Sequence, residues 1–325
     1  MHCLFRTTVL VVLLLWGCTT APTVKDVEEL APDTRIAFGS AEVWVDGKQE
    51  TWGTKWTGHN NFYLIVLPAN SNEAFSYKLD DDGVFYWALG PGEYTILGYN
   101  WQHLQATKSG RIGGSFVVPE SGGDVYLGTF KFAGNEFILV PTFEDRFDQI
   151  AELYDAKFPS RRGTTVKKLL DPARQVGSFA NIRGPCHEAW QIECDKRFDG
   201  ITPISPDVSQ SGFPEESSLT PEFRWKGCSR KDVSYDLIIY EAATYSIGGA
   251  LIPLYMRGHV VVYEEGLTEP RWPTAAPFKP DTRYIWSVRL REGDTVSAWS
   301  TQGHSTFLLV YASSGWGQWF QFKTS

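Results

Sequence analysis

Tyr284-Ile285-Trp286-Ser287-Val288-Arg289-Leu290-Arg291 alternates without a break. Tyr284, Trp286, Val288 and Leu290 fall on one face, and Ser287, Arg289 and Arg291 on the other. Period-two alternation of this kind predicts a strand with one side in a core and one side in water. Outward from it, Leu219-Thr220-Pro221-Glu222-Phe223-Arg224-Trp225 and Tyr235-Asp236-Leu237-Ile238-Ile239-Tyr240 read as further strands. Phe320 and Phe322 repeat the alternation at the end, with Gln321 and Lys323 outward. The second half is therefore expected to be a β-sandwich.

The first half reads the same way by different signals. Short apolar runs from Ile36 to Pro141 are broken by glycine, proline and Asn/Asp clusters, the pattern of an all-β sandwich. Phe62-Tyr63-Leu64-Ile65-Val66-Leu67 is continuous and is expected to be buried on both faces. Asp80-Asp81-Asp82-Gly83 and Pro91-Gly92 mark turns. The period then changes: Phe147, Ile150, Ala151, Tyr154 and Phe158 form a helical stripe that ends at Pro159. A second short helix is expected from Val166 to Leu170.

The expected fold class is mainly β, with two β-sandwich domains joined by a helical segment and an irregular Pro-rich connector. The expected boundaries are a signal peptide at 1–17, a lipidated tether at 18–32 and a first sandwich at 33–145. A helical segment packed on that sandwich follows at 146–171, then a connector at 172–216 and a second sandwich at 217–325.

Two resemblances attach to these residues. Leu89-x-Pro91-Gly92-x-Tyr94, Phe116-x-Val118-Pro119 and Tyr126-Leu127-Gly128 together resemble the prealbumin-like (carboxypeptidase-regulatory-like) sandwiches of bacterial lipoproteins. In the second half, Trp225, Phe278-x-Pro280-x-Thr282-x-Tyr284 and Ser297-Ala298-Trp299-Ser300 resemble a fibronectin type III domain. That resemblance implies that Tyr284 is a corner tyrosine whose hydroxyl bonds back to the backbone. Both families bind or space partners, and neither implies a catalytic residue.

The N-terminus sets the expected location. Arg6 followed by Val9-Leu10-Val11-Val12-Leu13-Leu14-Leu15 reads as a secretory signal, far shorter than the roughly 20 residues of a spanning helix. Leu15-Trp16-Gly17-Cys18 resembles the bacterial lipobox, with Trp16 where alanine or serine is usual. The resemblance implies that Cys18 is acylated and becomes the new N-terminus. Thr19 and Thr20, rather than aspartate, follow it, which by the same resemblance favours the outer membrane facing the periplasm. The formal charge of −8 disfavours nucleic acid as a partner.

Cys186, Cys194 and Cys228 remain for an oxidising compartment. A Cys186–Cys194 bridge is expected, with a bridge from Cys228 to either partner left open. Zinc at Cys186, His187 and Cys194 matches no strong spacing template. Asp80-Asp81-Asp82-Gly83 lacks the spacing of a calcium loop, and no nucleophile elbow, zinc-protease motif or phosphate loop occurs. No cofactor or metal is implied. Ala242 to Met256 and Thr295 to Phe322 are free of charge and rich in aromatics. Exposed apolar segments mark contact sites, so Tyr255, Trp316 and Trp319 are the candidate partner-binding residues.

The expected function is a membrane-anchored, non-enzymatic lipoprotein, a protein-binding adaptor or envelope-assembly component. Two alternatives stand beside it. One is a carbohydrate-binding lipoprotein using Trp52, Trp56 and Trp101 as a stacking platform for a glycan. The other is an envelope hydrolase using carboxylates such as Asp80, Asp82 or Glu93.

Overall fold

The computed structural model describes residues 20–21, 24, 30, 33–50, 53–55, 58–80, 82–104, 106–134, 139–170, 201–206, 216–227, 230, 232–246, 254–297, 299–300 and 320–325. The first half contains β1 (Thr20–Ala21), β2 (Arg35–Val45), β3 (Lys48–Gln49), β4 (Gly53–Lys55), β5 (Gly58–Pro68), β6 (Phe75–Lys78) and β7 (Val84–Leu89). It continues with β8 (Gly92–Leu104), β9 (Ala106–Val118), β10 (Val125–Gly134), β11 (Leu139–Glu144), helix α1 (Phe147–Lys157) and β12 (Val166–Lys167). One sheet runs β1-β6-β5-β8-β9, with β4 on β5. The other runs β11-β10-β2-β3, with β7 on β2 and β12 on β10.

Phe62, Leu64 and Val66 of β5 point into the sandwich core with Phe85, Trp87, Tyr99 and Phe132. Tyr63, Ile65 and Leu67 point the other way into a separate apolar cluster. Every residue from Phe62 to Leu67 is buried, so both faces of this strand are covered as the unbroken run predicts. Gly39 sits where β2 and β10 come together, and a Cβ there would lie 2.4 Å from the Gly128 carbonyl oxygen.

The helical stripe packs as its spacing dictates. Ile150, Tyr154 and Phe158 bury against Ile36, Phe38, Val84, Tyr86 and Tyr126, with Tyr154 stacked on Phe38 at 4.3 Å. The second expected helix is absent. Val166–Lys167 is instead a strand parallel to β10, and Lys168 and Leu170 continue to donate backbone hydrogen bonds to Tyr126 and Leu127. Five residues are too few to offset helix nucleation, whereas the open side of β10 offers ready acceptors.

The second half contains β13 (Thr202–Ser205), β14 (Glu216–Ser217), β15 (Glu222–Lys226), β16 (Ser234–Tyr245) and β17 (Leu254–Leu267). After these come β18 (Arg271–Pro273), β19 (Arg283–Glu292), β20 (Thr295–Val296) and β21 (Phe320–Thr324). A sheet β13-β15-β18 faces a sheet β14-β21-β19-β16-β17 that also carries β20 on β19. Phe223, Trp225, Leu237, Ile239, Tyr284, Trp286, Val288, Leu290 and Phe322 fill the space between them. The Lys279 backbone N–H donates to the Tyr284 hydroxyl at 3.1 Å, the corner contact implied by the resemblance.

Three readings need correction. Within the expected 18–32 tether, Thr20–Ala21 pairs with β6, and Val24 is buried and donates its N–H to the Tyr86 carbonyl, so these residues belong to the first sandwich. The 172–216 connector contributes β13 to the C-terminal sandwich, because Thr202 and Pro203 pair with Lys226 and Trp225. The outer face of β19 is not wet. Ser287 and Arg289 are buried, and Arg289 is neutralised by Asp236, both side chains being fully buried. Residues 171–200 lie outside the described residues.

Candidate functional site

The two sandwiches meet where the charge-free Ala242 to Met256 segment begins. Ala242, Ala243 and Tyr245 are buried, and Tyr245 and Met256 pack with Tyr63, Ile65, Leu67, Ala74 and Leu97 of the first sandwich. Small residues at 242 and 243 let the β16 backbone come close, and Gly258 on the neighbouring strand is equally constrained. A Cβ on Gly258 would lie 2.6 Å from the Glu241 carbonyl oxygen. Lack of charge from Ala242 to Tyr245 therefore follows from burial between the sandwiches.

A polar rim surrounds the apolar contact. The Ala74 N–H donates to the Thr244 carbonyl and the Thr244 N–H to the Asn72 carbonyl, both at 2.9 Å. The Asn72 amide donates to the buried Glu241 carboxylate, whose other oxygen accepts from Lys279 Nζ at 2.8 Å. That contact raises the Lys279 pKa, the hydrogen bond to Glu241 being the main cause and the charge attraction the second. His259 Nε2 lies 2.9 Å from the Ser71 carbonyl oxygen. Arg111 donates to the Tyr240 hydroxyl at 2.8 Å and stacks over its ring. Burial, and then the nearby Arg111 charge, push Arg257 down to about 9.

Beside this junction, Tyr255 stays 36% exposed. The Arg283 guanidinium reaches over the end of β16 to stack on its ring at 3.8 Å. Arg283 Nη1 also donates to Gln321 Oε1 at 3.1 Å. A flat aromatic held by a planar cation is an entropically inexpensive contact surface.

The other sequence candidates divide clearly. Cys18, Cys186, Cys194, Cys228, Trp316, Trp319, Trp52 and Trp56 lie outside the described residues. Trp101 is buried and donates its ring N–H to Asn60 Oδ1 at 2.6 Å, so it offers no exposed stacking face. Asp82 accepts the Val84 N–H at 2.9 Å, and the Gly83 N–H bonds the Asp80 carbonyl, which makes a tight turn; it is not the expected hairpin, because β6 and β7 belong to different sheets. Lys78, Leu79, Asp80 and Asp82 line a shallow open depression there. Glu93 is exposed at the start of β8. Among the described residues, no three His, Cys, Asp or Glu side chains group as metal ligands.

Besides Glu241, two more buried carboxylates escaped the sequence reading. Asp236 receives Arg289 at 2.8 Å and Arg291 at 2.7 Å, and Arg289 is stacked on Trp299 at 4.3 Å. Asp124 accepts two 2.6 Å bonds from Arg161, the Ile36 N–H at 2.7 Å and the Tyr154 hydroxyl. Burial, and then the bond to Asp124, push the Tyr154 phenol far above its usual range. A signal existed for the first of these: one aspartate in an apolar strand, and two arginines spaced by two in another.

No protein-family model matches the chain, and no curated protein matches its sequence. Solved structures similar to it include a two fibronectin type III domain segment from chicken tenascin, 10% identical. That match has a TM-score of 0.20 and covers 77% of this chain and 86% of that one. The FN1–FN3 domains of chicken CNTN1 are also 10% identical, with a TM-score of 0.20 and coverage of 86% and 66%. A DUF3823 family protein from Bacteroides ovatus is 8% identical at a TM-score of 0.16, covering 89% of this chain and 98% of that one. Such scores add nothing to the strand orders, registers and cores described above, on which the β-sandwich fold stands.

Proposed function

We propose that the chain is a lipid-anchored, non-enzymatic adaptor of the bacterial envelope, which presents the Tyr255–Arg283 face to a protein partner. The observation that carries this reading is the exposed Tyr255 ring held under Arg283 beside a closed junction. Tyrosine and arginine are over-represented among residues that dominate binding energy, and a partner would meet both already positioned. The buried carboxylates support the same reading, because Asp124, Asp236 and Glu241 are each committed to cations that hold the fold together. Trp316 and Trp319 are proposed to belong to the same contact surface, and Cys18 to carry the lipid.

The test compares wild type with Tyr255→Ala in intact cells, using a photo-crosslinking residue at Gln321. Loss of this anchor is expected to weaken partner binding by about 2 kcal/mol, roughly 30-fold. Stability should fall by about 1 kcal/mol or less, since the ring is exposed and loses one cation–π contact. Equal crosslinking by a folded Tyr255→Ala protein would remove the proposal.

A further inference from the structure

We propose that the first sandwich is seated directly on the lipid leaflet that holds its anchor, with the β1/β6 edge and the domain junction nearest the headgroups. The inference rests on acylation of Cys18. Thr20 pairs with Ser76 and Ala21 with Tyr77. Three residues later Val24 is 6% exposed in the cluster of Ile36, Phe38, Tyr86 and Tyr154, bonded to the Tyr86 carbonyl at 2.8 Å. The 20–24 stretch is thus attached to both sheets of the sandwich.

Cys18 stands two residues before Thr20. An extended chain spans at most about 3.5 Å per residue, so the acylated residue lies within roughly 7 Å of the strand. A flexible linker of about 15 residues would allow roughly 20 Å and any orientation. The anchor residue enters the leaflet at the headgroup level, which brings the β6 edge there too.

The same edge carries the junction. Glu73 bridges Thr244 of the C-terminal sandwich, and Glu73 is three residues before Ser76, about 10 Å along the strand. The loop before β6, Ala69-Asn70-Ser71-Asn72, is uncharged, and the exposed charges that follow it, Glu73 and Lys78, are of opposite sign. β9, the far edge of the same sheet, lies three strands from β6, about 14 Å away.

The experiment uses the full-length acylated protein in phosphatidylcholine vesicles containing a lipid with a nitroxide on its headgroup. A fluorescent unnatural residue replaces either Lys78 on β6 or Val117 on β9, both exposed. Most of the emission at position 78 should be lost while that at 117 is retained. Inserting about 15 Gly/Ser residues after Thr19 should restore emission at 78. Equal quenching at the two sites, or no response to the insertion, would overturn the seat. Labelled palmitate entering the wild type but not Cys18→Ala supports the anchor, and its absence from both would overturn the anchor and with it the seat.

Discussion

Replacing Asp236 with alanine is expected to cost the C-terminal sandwich about 3–5 kcal/mol, because it leaves a buried charge without its partner. Asp236 and Arg289 are both fully buried, and Arg291 shares the same carboxylate. Water does not reach Arg289 to compensate it. The measurement is chemical denaturation followed by tryptophan fluorescence, since Trp286 sits in the adjoining core. The double replacement Asp236→Leu with Arg289→Met should recover most of the loss, because exchanging a buried pair for apolar volume is often neutral. Removing the exposed Asp281–Lys323 pair by Asp281→Asn, which tolerates the left-handed backbone at that position, serves as a contrast and should cost far less. Similar small losses for Asp236 and Asp281 would show that the buried cluster does not hold these strands.

Asp124→Ala should have an effect of comparable size on the first sandwich. Its carboxylate joins three elements: the start of β2 through Ile36, the helix through Tyr154, and the turn after the helix through Arg161. Arg161 is partly exposed and can turn to water, so the loss is about 3 kcal/mol, at the low end for a broken buried pair. The specific readout is hydrogen exchange at Ile150 to Phe158, which should accelerate as the helix leaves Ile36, Phe38 and Tyr86. Unchanged protection there would mean that apolar packing alone seats the helix.

Much of this architecture is legible in the residues. The alternation at Tyr284 to Leu290, the unbroken run at Phe62 to Leu67 and the stripe from Phe147 to Phe158 all report local periodicity, and each occupies the element that its period implies. What was illegible is long-range. Ser287 and Arg289 look solvated because polarity is the only local signal, and their burial depends on Asp236 and Tyr263 from two other strands. Val166–Lys167 is a strand because β10 happens to have an open side.

The charge-free stretch after Ala242 illustrates the same limit. Its start packs between the sandwiches, with Tyr245 against Tyr63, Ile65 and Leu67. Tyr255, beyond it, stays 36% exposed. Composition distinguishes an interface from a solvated face, but not which surface covers it.

The proposed anchor fixes where the Tyr255 face points only when the two sandwiches move as one body. Small polar interfaces between domains normally allow motion, whereas this one combines an apolar cluster, a backbone bridge and the Asn72–Glu241–Lys279 chain. The most direct measurement is the spin–spin distance distribution between labels carried on unnatural residues at Glu152 of the helix and Thr268 after β17, both exposed. A single narrow distance is predicted. A broad or two-peaked distribution would show that the sandwiches move independently and that the anchor does not orient the Tyr255 face.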